Sequence, residues 1–275
     1  MPTTLSLITF AVSVVLYGIS STLFYLEVAR GPESGTPKTV PVWMLGIAGA
    51  SHTGYIIIAS FVARVCPIHS VHFILSIGSL ASTAIYLAAR VRFKINALGL
   101  VVAPLGLAVI VGTFFLGHAS PGTKMPASFM ALHILANTIG SALFLLACGA
   151  AVMYLVQDKR LKNKKALLLK KGTGLPPLDA LDHAVHRFLM AGFPLLTLGV
   201  ATGTVWAHKL ESGSAADILR SVLGYATWLL IAGVLLLRVV LGWRGRRAAY
   251  GTVAGFLCAL AVFILYIVRA EVVGG

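Results

Sequence analysis

"FMALHILANTIGSALFLLACGAAVMYLV", residues 129–156, runs for 28 residues with one histidine and no charged side chain. As an α-helix rising about 1.5 Å per residue, it exceeds the roughly 30 Å hydrocarbon core of a bilayer. A chain in lipid must satisfy its own backbone, which only helices and closed barrels do, and this stretch lacks the period-2 alternation of a barrel strand. It reads as a transmembrane helix, and it raises the question of what makes His133 tolerable near its start.

The rest of the chain follows suit. Of 275 residues, 58% are hydrophobic and 11% charged, too apolar for a soluble domain of ordinary composition. Further apolar runs lie near 5–26, 42–63, 70–89, 95–116, 184–206, 218–241 and 248–268, which with the stretch extended over 128–156 makes eight spans. The expected fold is an all-α integral membrane protein, a bundle of about eight transmembrane helices forming one transmembrane domain over 1–275. No basic residue precedes the first run, which is longer than a signal-peptide core and so reads as a retained span. Of three cysteines, Cys148 and Cys258 lie inside apolar runs and no C-x-x-C is present, so neither a disulfide framework nor a zinc site is indicated.

Net charge is +14, from 22 Lys and Arg against 8 Asp and Glu. In a soluble protein that would point to nucleic acid; here it points to topology. Eight spans put both termini on one side, and that side receives five basic residues, Arg64, Lys124, Lys209, Arg220 and Arg269, against 17 on the other. The positive-inside rule then places both termini on the non-cytoplasmic side. Most of the inward charge falls in a loop expected over 157–183, beginning "QDKRLKNKKALLLKKGTGLPP", and in "GWRGRR", 242–247. Two readings stand: a topology signal lying on anionic headgroups, or a docking surface for a cytoplasmic partner through Lys159, Arg160, Lys162, Lys164 and Lys165. The lipid bilayer is the expected surrounding and no nucleic acid is expected. "LDALD", 178–182, reads as a helix start.

With this topology, His69, His72, His118, His133 and His208 lie at or near the outer surface, His183 and His186 near the inner one, and His52 close to the middle of the second span. Ionisable groups in membranes are rare and usually face the bundle interior, and neutral imidazole is a common iron ligand. His52, in "GASHTGYIIIAS", is either a packed histidine bonded to a neighbouring helix or a haem ligand. His69 and His72 are three apart on one helix face, so at most one is an axial ligand of a given haem; an interfacial histidine wetted by headgroups is the other reading for both. His186 is followed by Arg187, which suits either a haem propionate or snorkelling to phosphate. Trp43, Trp206 and Trp243 fall at span ends as an aromatic belt would, and Trp228 lies within a span.

Taken together, "ALHILANTIGSALFLLACGAAVMYLVQDKRLKNK", "LPPLDALDHAVHRFLMAGFPLLTLGVATGTVWA" and "GWRGRRAAYGTVAGF" resemble the cytochrome c assembly family, which holds the CcsA- and CcmC-like proteins and a HemX- and YpjD-like branch. The earlier "SHTGYII" and "CPIHSVHFILSIGSLASTAIYLAARVRFKINALGLVVAPLGL" extend the resemblance over nearly all of 45–262. The resemblance implies that His133, in the "HI" word, is an outer haem ligand, and that His52 matches a recurrent second-span histidine. Haem-exporting members carry a tryptophan-rich outer loop after the "WA" word and a second outer histidine near the C-terminus. This chain has neither: it reads "HKLESGSAADILRSVLGYATW" and ends "FILYIVRAEVVGG". It is therefore more similar to the HemX branch, with His133 and His208 as the candidate outer ligand pair, or His118 in place of either.

Two functions follow as expectations. One is a haem-binding protein of the bacterial inner (cytoplasmic) membrane, multi-pass, with haem b as cofactor and a cytochrome c assembly partner. The other is a HemX-like adaptor or regulator of glutamyl-tRNA reductase in tetrapyrrole synthesis, without haem export. A transporter is disfavoured by the lack of an inverted repeat. An enzyme is not expected, because no Ser/His/Asp grouping, phosphate loop or carboxylate cluster is present.

Overall fold

The structure is a computed structural model that describes residues 4–30, 37, 39–63, 71–93, 95–116, 127–162, 174–209 and 215–274. Eight long helices follow one another: α1 (Thr4–Arg30), α2 (Val40–Ala63), α3 (Val71–Phe93), α4 (Gly99–Leu116), α5 (Ala127–Lys162), α6 (Leu178–Lys209), α7 (Ala215–Val240) and α8 (Arg246–Gly274). A single 3-10 turn, Asn96–Leu98, precedes α4. Among the described residues, the seven helices α1 to α7 are long and apolar enough to cross a membrane. The protein is an all-α, multi-pass integral membrane protein. Its burial pattern agrees: Phe61, Val91, Leu236 and Val239 are exposed while Ser13, Ser20, His52, Ser76 and Thr83 are buried. That inversion suits a solvent with no hydrogen bonds to offer.

The loop expected over 157–183 is helical at both ends. Helix α5 runs on through Lys159 and Arg160 to Lys162, and α6 begins at Leu178. Lys, Arg and Gln are good helix formers, and cations in a last turn complement the helix dipole, so the end of the apolar run is not the end of the helix.

The chain divides into two compact units, one of residues 1–121 and 156–181, the other of 122–155 and 182–275. In the first unit, α1 to α4 run antiparallel in sequence. Ser20 Oγ donates to the Pro41 carbonyl (2.9 Å) and Ser51 Oγ to that of Thr9 (3.0 Å), tying α1 to α2. Phe24 fills the space left by Gly99, Tyr17 that left by Gly106, and Phe10 stacks on Phe114 at 4.1 Å between centroids. These contacts recur every seven residues of α1, so its aromatic stripe is the seam with α4. The Tyr86 hydroxyl donates to the Asn96 carbonyl (2.8 Å) and closes the α3–α4 turn.

The second unit repeats the antiparallel order with α5 to α8. Gly140 of α5 abuts Leu196 of α6, and Gly192 of α6 abuts Leu143 of α5, so small residues let these two backbones approach. Val234 of α7 lies against Gly251 of α8, and Phe144 of α5 against Gly255. Trp228 Nε1 donates to Thr197 Oγ1 (2.9 Å), and its ring stacks on Phe193 at 5.5 Å.

Candidate functional site

His133 lies in the second turn of α5, half-buried, facing α6. Its Nδ1 is 2.8 Å from Thr202 Oγ1 of α6. One turn along α5, Asn137 Nδ2 donates to the His133 carbonyl (3.1 Å) and stands 3.3 Å from Nδ1 and 3.2 Å from Nε2 of the same ring. An atom nearly equidistant from both ring nitrogens is aligned with neither lone pair, since those diverge in the ring plane. Two glycines of α6 make room for this group. A Cβ on Gly199 would collide with the Asn137 amide, and one on Gly203 would stand 3.3 Å from His133 Cε1. The opening question of why an imidazole is tolerated here has a structural answer: a hydroxyl from the facing helix and a glycine notch receive it.

His52 is fully buried in the first unit. Its Nδ1 is 3.3 Å from the Tyr17 hydroxyl and the two rings meet edge-on at 5.9 Å. Its Nε2 is buried with no hydrogen-bond partner. His72 also belongs to this unit and is buried, 9% exposed. Beside it α3 packs on α4, where Thr113 Oγ1 lies 3.0 Å from Ser76 Oγ and 3.4 Å from the His72 carbonyl.

His183 and Arg187 are exposed on the first turns of α6, and His186 between them is half-buried with its Nδ1 unpartnered. His69 and His118 lie outside the described residues, as does the side chain of His208, whose backbone belongs to the last turn of α6. Of the expected docking residues, Lys159, Arg160 and Lys162 are exposed on the end of α5, with Lys162 Nζ 3.0 Å from Asp158; Lys164 and Lys165 lie outside the described residues. Among the described residues no three His, Cys, Asp or Glu side chains come together as for a bare metal ion.

One arrangement was not anticipated. Arg238 of α7, 8% exposed, grips Asp182 of α6 through two bonds, Nη2 to Oδ2 at 2.6 Å and Nη1 to Oδ1 at 3.1 Å. The same carboxylate accepts the Gly245 N–H at 2.9 Å. Gly245 has φ +67°, and a Cβ there would meet the Tyr154 hydroxyl at 2.7 Å, so both backbone and space require glycine. The signal in the sequence was a lone arginine in "LLLRVVLGW", since an intramembrane charge calls for a partner.

Residues 48–272 match the model of the family described as cytochrome C assembly protein. The chain belongs to that family. Among similar named proteins, the cytochrome c biogenesis protein CcsA of Guillardia theta is 26% identical over 204 residues, 67% of this chain and 66% of that protein. The CcsA of a Picosynechococcus strain is 37% identical over 91 residues, 32% of this chain and 27% of that protein. The CcsA of Synechococcus elongatus is 36% identical over 91 residues, 32% of this chain and 28% of that protein. The matches thus cover less than two thirds of these relatives' own length. No solved structure matches the chain. The relatives lend no support to the HemX-like placement, nor to glutamyl-tRNA reductase as a partner.

Proposed function

We propose that the protein handles haem in the bacterial cytoplasmic membrane as part of cytochrome c assembly, with haem b the expected form and His133 as an axial ligand. The observation that carries this reading is the state of the His133 ring. It is held at Nδ1 by Thr202 at 2.8 Å, it is half-buried, and beside its Nε2 stands the neutral Asn137 amide at 3.2 Å, which is shared with Nδ1 at 3.3 Å. A haem-iron ligand needs a neutral imidazole with one bare nitrogen and its orientation fixed through the other, so the residues fit the group. Bound haem supplies the iron chemistry, while the chain supplies the ligand, an apolar surround and access for transfer. Family membership and the CcsA relatives support the haem itself. The excess of basic residues on the opposite face supports placing His133 near the outer surface. His208 and His118 stand as candidates for the second ligand.

A second reading attaches to His52. A buried nitrogen without a partner costs about 1–3 kcal/mol, which a bond from Nε2 to iron would offset. Measuring haem in the purified protein by pyridine haemochrome separates the two. The expected result is a drop of at least about tenfold, some 1.4 kcal/mol, in His133→Ala and little change in His52→Ala. Unchanged haem content and Soret position in His133→Ala would overturn the assignment of His133.

A further inference from the structure

Thr202 Oγ1 lies 2.7 Å from the Leu198 carbonyl and 3.0 Å from that of Gly199 on its own helix, as well as 2.8 Å from His133 Nδ1. A hydroxyl has one proton and two lone pairs, so it cannot donate in both directions. If it donated to His133, two oxygens, that of Thr202 and that of Leu198, would face each other at 2.7 Å with no hydrogen between them, a repulsive contact. Donation to the Leu198 carbonyl removes that contact, as is usual for threonine inside a helix, and turns the oxygen's lone pairs toward His133. The proton of the 2.8 Å bond must then sit on Nδ1.

Asn137 does not choose between the two tautomers. Its Nδ2 is 3.1 Å from the His133 carbonyl, which fixes that end of the amide as the donor, because an oxygen there would face a carbonyl oxygen. The amide N–H group thus stands 3.2 Å from Nε2. It stands almost as close to Nδ1, at 3.3 Å, so the Thr202 contact alone decides where the ring proton sits.

Building on His133 as a haem ligand, we infer that Thr202 is a positioning residue for haem: its hydroxyl, spent as a donor on its own helix, holds His133 as the Nδ1–H tautomer and leaves Nε2 unprotonated, the nitrogen that could ligate iron. Gly199 and Gly203 are the small residues that leave room for Asn137 and for the His133 ring beside Thr202. This role needs no charge on the ring and no carboxylate beside it, so the ligand remains a neutral imidazole.

The test uses full-length protein in detergent, first without haem. Nitrogen-15 NMR of histidine-labelled protein, with the His133 signal identified by its absence from His133→Ala, reports which ring nitrogen carries the proton. We expect Nδ1–H in the wild type and in Thr202→Ser, and loss of that preference in Thr202→Val. Titration with hemin then reads the consequence: Thr202→Val should bind about 10- to 100-fold more weakly, the usual effect of removing a partner that orients a ligand, while Thr202→Ser stays within about threefold of wild type. An Nε2–H tautomer in the wild type overturns the inference, as does Thr202→Val with unchanged tautomer and affinity. Should Thr202→Val fail to fold, the wild-type tautomer together with Thr202→Ser still decides. Wild-type protein that refuses hemin overturns the haem reading instead, and the haem-free tautomer measurement judges Thr202 separately.

Discussion

Both units are antiparallel sets of four helices that use glycine to bring helices together, and they fill the space so made with opposite chemistry. In the first, the notches at Gly99 and Gly106 take the rings of Phe24 and Tyr17, and the histidine beside them, His52, is sealed in. In the second, the notches at Gly199 and Gly203 take Asn137 and His133, and the imidazole stays half-buried. An aromatic ring brings a large apolar surface and closes a site; an amide or imidazole brings bonds that must be satisfied and leaves an addressable nitrogen. Polar filling therefore relies on pairing, and apolar filling on fit.

The contrast predicts where each unit is vulnerable. The largest effect should come from breaking the charge pair in the second unit. Arg238→Ala leaves Asp182 as a buried uncompensated charge and should lower stability by about 3–5 kcal/mol, seen as a lower thermal unfolding midpoint in detergent. The double change Asp182→Asn with Arg238→Met should restore most of that loss, since removing both partners leaves no orphan charge. If the single and double variants melt alike, pairing is not what the second unit depends on.

Next comes fit in the first unit. Gly106→Ala drives a methyl into the Tyr17 ring and should cost about 1–3 kcal/mol by overpacking. A melting midpoint indistinguishable from wild type would mean that the ring yields freely and that His52 is not sealed. The smallest effect is expected from Tyr17→Phe, which keeps the ring and deletes the hydroxyl's contacts with His52 Nδ1, at 3.3 Å, and with Thr83, at about 0.5–1.5 kcal/mol. A larger loss from Tyr17→Phe than from Gly106→Ala would invert the comparison.

Much of this was legible in the sequence. Long uncharged runs report the helices because lipid forces the backbone into them, and their order sets which helices follow one another. The ends were not legible where a helix outlasts its apolar run, as α5 does through Arg160 and Lys162, because helix propensity continues past the hydrophobic signal. His133 stood out as an imidazole in an apolar run and through the resemblance of the words around it. Thr202 did not, since a threonine in a membrane helix normally satisfies itself on its own carbonyls and looks unremarkable in sequence. The Asp182–Arg238 pair is separated by 56 positions, and nothing local connects the two.

Helix α6 carries Thr202 near one end and, near the other, the carboxylate to which α7 and the Gly245 amide are both fastened. Between them sits Pro194, which removes one rung of the helix ladder and concentrates bending at its own turn. The two ends of the helix are thus fastened separately, one by a charge pair and the other by a hydroxyl against an imidazole, with the missing rung between them. A fault at one fastening therefore need not reach the other.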